Sequence, residues 1–356
     1  MMPGVRGCVF GIVIGVLAAG AASTQGDTPR LLRKTVDVPA PVSTVWRAWT
    51  TADWIKSFFA PAANIELKPG GAYEIYFGPD LPYGQRGSEG CTILTYLSEE
   101  LLAFTWSAPP SIPRLRDSNA RTQVIIELLP RDPAGTTVRL TQLGFGEGED
   151  WDKYYEYFDS AWSRVLQQLA SIPGEPVSET ARPESWQDGR VAVSKRLAPA
   201  KRQDFEVLVP ASAGDVWHVL TTPEGVRTFF PSNPVIELRP GGKWDLHGGK
   251  PNTVMAFIPE EMLAATGSAP DRFPNVQKGG TWGVFRFERA GDSQTRLHLS
   301  VVGWQEGDEW DQAFDYFLKA NAQFLEMLYR RFAEGPLKQA NGDVGRASDA
   351  AAQPEK

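Results

Sequence analysis

The chain has 356 residues, 42% of them hydrophobic and 22% charged, with a formal net charge of −7. Its Gly and Pro content is below that of a low-complexity chain, and the acidic balance supplies no basic stripe for nucleic acid. That length favours two domains over one.

Residues 8–22 form an apolar run too short to span a bilayer comfortably, since a helix needs about 20 such residues. The run closes on Ala19-Gly20-Ala21, with small side chains where a signal peptidase requires them. Residues 1–21 therefore read as a signal peptide cleaved after Ala21, which makes the protein periplasmic or secreted, with no integral membrane span in the mature chain. Retention as an anchor is the alternative. Cleavage leaves Cys91 as the only cysteine, so an ordinary core and not a disulfide must stabilise the fold.

Residues 33–38 alternate polar and apolar side chains and predict a strand. Val42, Val45, Trp46 and Trp49 follow at helical spacing, and Trp54, Ile55 and Phe58 mark a second short helix over residues 52–58. Ile65 and Leu67 belong to a strand that turns at Pro69-Gly70-Gly71, where Pro presets one central position and Gly accepts positive φ at the next. Further strands are predicted at 72–77, 92–97, 101–106, 123–129 and 137–143, bounded by Gly, Pro, Asp or Glu. The last element is a long helix over 149–170, whose Trp151, Tyr154, Tyr155, Phe158, Trp162, Val165, Leu166 and Leu169 make one broad apolar stripe.

This arrangement occurs twice. Val38-Pro39-Ala40, Val45-Trp46, Phe58-Phe59 and Pro69-Gly70-Gly71 recur 171 residues on, as Val209-Pro210-Ala211, Val216-Trp217, Phe229-Phe230 and Pro240-Gly241-Gly242. Glu99-Glu100 and Ser107-Ala108-Pro109 recur 161 residues on, so the first copy holds about ten extra residues, placed in the Gly- and Pro-rich stretch 78–90. Copies of that size are domains, not solenoid units. The expected division is a domain over 32–172, a linker over 173–200, a second domain over 201–333 and a disordered tail over 334–356.

Strand, two short helices, meandering strands and one long helix predict an α+β fold in which each curved antiparallel sheet wraps a helix and leaves its other face to solvent. The Val-Pro-Ala start with Val-Trp behind it, the Pro-Gly-Gly turn, the Glu-Glu pair and the closing Gly, acidic residues and Trp resemble the START-like, SRPBCC superfamily. Within it they are most similar to domains named after the activator of the heat-shock-protein-90 ATPase. The resemblance covers both copies and implies two tandem helix-grip domains, a fold shared with polyketide cyclases and pollen-allergen-like carriers. It says little about activity, because fold does not fix function.

No zinc spacing, nucleotide loop or nucleophile motif occurs, and no cofactor or metal is expected. Asp245 and His247 could share a strand face, but opposite Trp244 and Leu246 they should meet solvent. Glu149, Asp150 and Asp152 suit a helix N-terminus, and Glu99-Glu100 and Glu260-Glu261 suit turns. What remains is aromatic. Trp54, Phe58, Phe59, Tyr73, Trp106, Phe145, Trp151 and Tyr155 in the first copy, with Phe229, Trp244, Trp304, Trp310 and Phe314 in the second, should face the space between sheet and helix. The resemblance implies a cavity there for an apolar or aromatic small molecule, lipid or polyketide-like.

Tyr76, Tyr155 and Trp304 are candidate polar contacts. Since Gly267 stands where the first copy has Trp106, the second cavity should be the more open. The alternatives are a non-catalytic interaction module, docking an exported protein on its convex sheet faces, or, ranked lower, a cyclase- or hydrolase-like enzyme using Glu74 or Asp245.

Overall fold

The computed structural model describes residues 30–132, 134–173, 189–198, 200–246 and 250–337. The expected signal peptide, His247 and most of the expected tail lie outside the described residues. Among those described, no helix is long and apolar enough to cross a membrane.

The first copy runs β1 (Leu32–Val38), α1 (Val42–Thr50), α2 (Ala52–Phe58), β2 (Ala62–Ile65), β3 (Tyr73–Tyr76), β4 (Ile93–Leu97), β5 (Leu101–Ser107), α3 (Pro113–Asp117), β6 (Arg121–Arg131), β7 (Gly135–Leu143) and α4 (Glu149–Leu169). Its main sheet is antiparallel in the order β1-β7-β6-β5-β4, and the β2-β3 hairpin joins it through the bridge between Ala72 and Thr92. Gly70 turns the chain at φ 76°, and a Cβ on Gly71 would lie 2.2 Å from the Glu66 carbonyl, so this turn requires both glycines. Tyr154, Phe158, Trp162, Leu166 and Leu169 form the buried stripe of α4, and Glu149, Asp150 and Asp152 complement the dipole in its first turn.

The second copy runs β8 (Val191–Arg196), β9 (Arg202–Val209), α5 (Ala213–Thr221), α6 (Pro223–Arg227), β10 (Val235–Ile236), β11 (Lys243–Asp245), β12 (Asn252–Ile258), β13 (Met262–Thr266), α7 (Pro274–Gly279), β14 (Trp282–Arg289), β15 (Thr295–Val302) and α8 (Asp308–Ala333). These strands make one eight-stranded sheet. Its outermost strand, β8, falls inside the stretch expected to be linker, where Val191 and Val193 alternate with smaller side chains and pair along β9. Asp245 differs from expectation as well. It is only 7% exposed, buried as its neighbours Trp244 and Leu246 are.

The sheets do not leave their outer faces to solvent. Along β5, Leu102, Phe104 and Trp106 face α4, while Leu101 and Ala103 face away; β13 and β14 alternate in the same sense. The outward residues of both copies, Leu97, Leu101, Ala103, Ile125 and Leu143 with Met255, Ala256, Ile258, Met262, Ala264, Trp282 and Val284, form a single buried cluster. The convex faces expected to be free for an exported partner are thus packed largely against each other.

Polar contacts frame this seam. Trp282 Nε1 donates to the Tyr96 carbonyl at 3.1 Å, and Gln123 accepts from the Phe257 amide at 3.2 Å. The two Glu-Glu turns reach across reciprocally. Glu99 and Glu260 take left-handed φ of 64° and 61°, which sends Glu100 to Arg202 (2.5 Å) and Arg286 (2.9 Å), and Glu261 to Arg33 (2.5 Å). Arg202 is held from its own sheet by Asp204 at 2.8 Å and Ser300 at 3.0 Å. Burial pushes the Glu100 carboxyl upward, but the two guanidinium groups outweigh it and hold the group below the usual carboxylate range.

Glu100→Gln removes one of the two carboxylates paired with the buried Arg202 and should cost about 1–3 kcal/mol at neutral pH, read from urea unfolding of the full chain. A depressed carboxyl contributes stability above its unfolded pKa and loses it as the pH falls through the folded one. The gap between wild type and variant should therefore close on acidification; a gap independent of pH would contradict this role.

Candidate functional site

The long helix and the sheet do not close completely in the first copy. A cavity of about 280 Å³ opens between the C-terminal half of α4, the end of β5 with the Pro109-Pro110 segment behind it, and Phe59 after α2. Spacing on α4 makes one wall, since Phe158, Trp162 and Val165 share a face and Ala161 between them leaves room. Trp106 comes from the inner face of β5. Phe59 stacks on it at 5.9 Å and 20°, and Trp162 meets it at 5.3 Å.

A buried polar chain positions these rings. Trp162 Nε1 donates to Gln142 Oε1 at 2.7 Å, and Gln142 Nε2 donates to Thr122 Oγ1 at 2.8 Å. Thr122 pairs with the Tyr154 hydroxyl at 3.0 Å, which in turn donates to the Trp106 carbonyl at 3.0 Å. Burial pushes the Tyr154 phenol well above its ordinary range, so it stays a donor.

The segment between β3 and β4, where the first copy has its extra residues, supplies the remaining wall through Phe77, Gly87 and Ser88. An ion pair sunk beneath the surface holds it. Arg116 of α3 binds Glu89 at 2.6 Å, the Gly84 carbonyl through Nε and Nη2, and Ser107 and the Ala108 carbonyl through Nη1. Glu89 also accepts from the amides of Gly84, Arg86 and Gly87 at 2.8–3.0 Å. Burial raises its carboxyl, yet these backbone amides together pull it below the usual range.

The second copy has a smaller cavity of about 140 Å³. This reverses the expectation that the loss of Trp106 at Gly267 would open it. Thr281 fills the vacancy, its Oγ1 lying 2.5 Å from where a Cβ on Gly267 would be, and Phe324 stands at the helical position of Val165, 5.7 Å from Phe229. Asn321 replaces Trp162, which makes the remaining lining more polar, with Asn252, Thr266 and Thr281.

Of the thirteen aromatic residues expected to face the space between sheet and helix, Phe59, Trp106 and Trp244 line the cavities of their own domains. Phe58 packs at 5.2 Å on Trp49, and Tyr73 is fully buried, stacked at 4.2 Å on Phe104 with its hydroxyl donating to the Trp49 carbonyl. Trp54 lies under the Arg47 guanidinium. Phe145, Trp151 and Tyr155 gather with Tyr154 at the start of α4, as Trp304, Trp310 and Phe314 gather at the start of α8. Phe229 sits behind Phe324.

The expected polar contacts are also engaged elsewhere. Tyr76 donates to Glu74 at 2.6 Å, Tyr155 to the Leu31 carbonyl at 3.3 Å, and Trp304 to the Val301 carbonyl at 3.1 Å. Burial, then the bond to Glu74, pushes the Tyr76 phenol up to about 12. Sequence reasoning missed Arg116, Glu89 and Arg164. The only available signal was an acid, Glu89, flanked closely by glycines in the inserted stretch.

Among the described residues no cluster of His, Cys, Asp or Glu could hold a metal ion. The cavity lining contains no carboxylate, imidazole or thiol. Cys91 is buried, and burial raises its thiol.

The family model described as "Activator of Hsp90 ATPase homolog 1-like protein" matches residues 39–174 and again residues 210–333. The chain belongs to that family, as two tandem helix-grip domains. Similar solved structures include a protein of Mesorhizobium loti, 22% identical over 40% of this chain and 94% of its own, with a TM-score of 0.33. DynU16, from the dynemicin biosynthetic locus, is 18% identical over 84% of this chain and 98% of its own, with a TM-score of 0.30. An HSP90 activator from Plasmodium falciparum is 16% identical over 39% of this chain and 92% of its own, also at 0.30. No curated protein matches the chain.

Glu89→Gln keeps the shape but removes the charge that organises the inserted segment, at a cost of about 1.5–3 kcal/mol in local stability. Trypsin should then cut after Arg86 at least tenfold faster than in wild type, with the rest of the fold intact. Wild type should approach the variant as the pH falls through the depressed Glu89 value, since a lowered carboxyl loses its contribution in that direction.

Proposed function

We propose that this tandem member of the family binds a small apolar or aromatic molecule in its first domain, and that the second domain braces the first. The supporting observation is the aromatic cavity bounded by Phe59, Trp106, Phe158 and Trp162, which this chain maintains with a buried ion pair and a buried polar chain behind it. Apolar cavities with few polar groups are the usual form of a small-molecule site. Its volume equals that of about nine water molecules at ~30 Å³ each, room for on the order of a dozen non-hydrogen atoms. A bicyclic ring system is of this size, whereas a two-chain lipid is far larger.

Binding without conversion is the reading favoured by the lining, since proton transfer needs a titratable group within reach of the reacting atom. Glu89, next to Ser88 of the wall, is committed to Arg116 and three amides. Glu74 is taken by Tyr76, by Asn64 at 3.0 Å and by the Gly90 amide at 2.7 Å. We further propose that the chain is exported and works in the periplasm or outside the cell.

Two measurements check these readings. Ala161→Phe places a ring in the cavity and should weaken binding of methyl 2-naphthoate at least tenfold in equilibrium dialysis while leaving the fold unchanged; equal binding by a folded variant would remove the cavity as the site. Expressed in a bacterium with an outer membrane, the chain should appear outside the cytoplasm with Ala22 as its first residue, and a cytoplasmic chain starting at Met1 would refute export.

A further inference from the structure

The polar groups of the cavity fall into two classes, and the division carries information about what enters. Those of the inner wall are already used. Ser88 Oγ accepts from the Ile75 amide at 2.7 Å, Ser107 Oγ accepts from Arg116 at 2.9 Å, and all five donors' worth of Arg116 directions point at protein acceptors or the surrounding segment. Trp106 Nε1 has no partner but is covered by its neighbours. At the mouth the situation is different. Arg164 and Gln168 lie one turn apart on α4, on the face that lines the cavity, and both are exposed. Among the described residues neither side chain has a hydrogen-bonding or ion-pairing partner.

Arg164 is also isolated along the chain. Between residue 160 and Pro173 it is the only charged side chain, in a protein whose net charge is −7. The nearest acid before it on the helix, Asp159, is held by Lys34 at 2.7 Å. Nor does it serve the helix terminus, because the last turn of α4 contains no basic residue. A cation left unneutralised at the rim of an apolar cavity, with Ser88, Ser107 and Arg116 of the inner wall committed, selects for a ligand that is apolar at one end and negative at the other.

We propose that the ligand is an aromatic carboxylate or a similar small anionic amphiphile, its ring system among Phe59, Trp106 and Trp162 and its anionic group at the mouth against Arg164. This rests on the cavity reading above and adds charge and orientation to it. Gln168, one turn on, supplies an amide donor to the same group.

Titration calorimetry of the full chain with 2-naphthoate and with methyl 2-naphthoate tests it, since the two share a ring system and differ in charge. Wild type should bind the carboxylate more tightly than the ester, and added salt should reduce only that advantage. Arg164→Gln should weaken 2-naphthoate roughly three- to tenfold and leave the ester unchanged, while Arg164→Lys retains most of the affinity. Should both compounds bind equally, with Arg164→Gln affecting neither, the anionic preference is wrong and the cavity reading stands. If neither compound binds wild type, the cavity reading falls and takes this inference with it.

Discussion

A β-sheet has two faces, and in this protein α4 and α8 each cover one. Both remaining faces are apolar, with Leu101, Ala103 and Ile125 on one sheet and Met262, Ala264 and Val284 on the other, and they bury each other. Burial of this kind is worth roughly 25 cal/mol per Å² of apolar surface removed from water, and it is non-directional, so on its own it would not fix how the sheets are set. Direction comes from the rim. The Glu-Glu turns, each with one residue in the left-handed region, deliver Glu100 to two arginines of the second domain and Glu261 to one of the first. Such pairs contribute less to stability than to selecting one arrangement, because desolvation offsets much of their attraction.

The cavity depends on that arrangement at one remove. Gln123 lies on β6 beside Thr122, the residue in the polar chain that orients Trp162, and Gln123 accepts from the Phe257 amide across the seam. The strand that carries Thr122, and so orients Trp162, is therefore fixed from its back by the other domain. Duplication has left two copies whose interiors differ. In the first, an inserted segment and the Arg116–Glu89 pair keep a cavity bounded; in the second, Thr281 and Phe324 take up most of the space.

Much of the fold was legible in the sequence because it rests on local signals. Alternation gave the strands to within a few residues, the apolar stripe gave α4 and α8, and the Pro-Gly-Gly turns and the 171-residue offset exposed the repeat. The packing of one sheet on the other was written there too, but was read as something else. Leu101-Leu102-Ala103-Phe104 and Val124-Ile125-Ile126 are continuous apolar runs, the pattern of strands covered on both faces, whereas a sheet open to solvent should alternate. The short helices α3 and α7 carry too few residues for periodicity to reveal them.

The site was less legible for a different reason. Its aromatic walls belong to the same stripes as the core, so spacing alone could not separate Trp106 and Trp162, which line the cavity, from Tyr73 and Phe58, which pack beneath it. Arg116 and Glu89 lie 27 residues apart and meet only in three dimensions. Gly267 showed a vacancy, but its filling by Thr281 is a tertiary compensation that no local pattern carries.

The shared seam also bears on how the chain comes to be folded. Domains emerge from synthesis N-terminal first, at about 5–20 residues per second, and the first domain's outer face is complete once Leu143 has been made. Its cover ends at Val284. Whenever the first domain folds ahead of the second, it therefore presents a broad apolar sheet surface to its surroundings, with α4 able to fold behind it but nothing yet in front. That stage is when the chain is most exposed to self-association and most dependent on a holding chaperone, and it makes the two domains a single unit of biogenesis although each carries a helix-grip of its own.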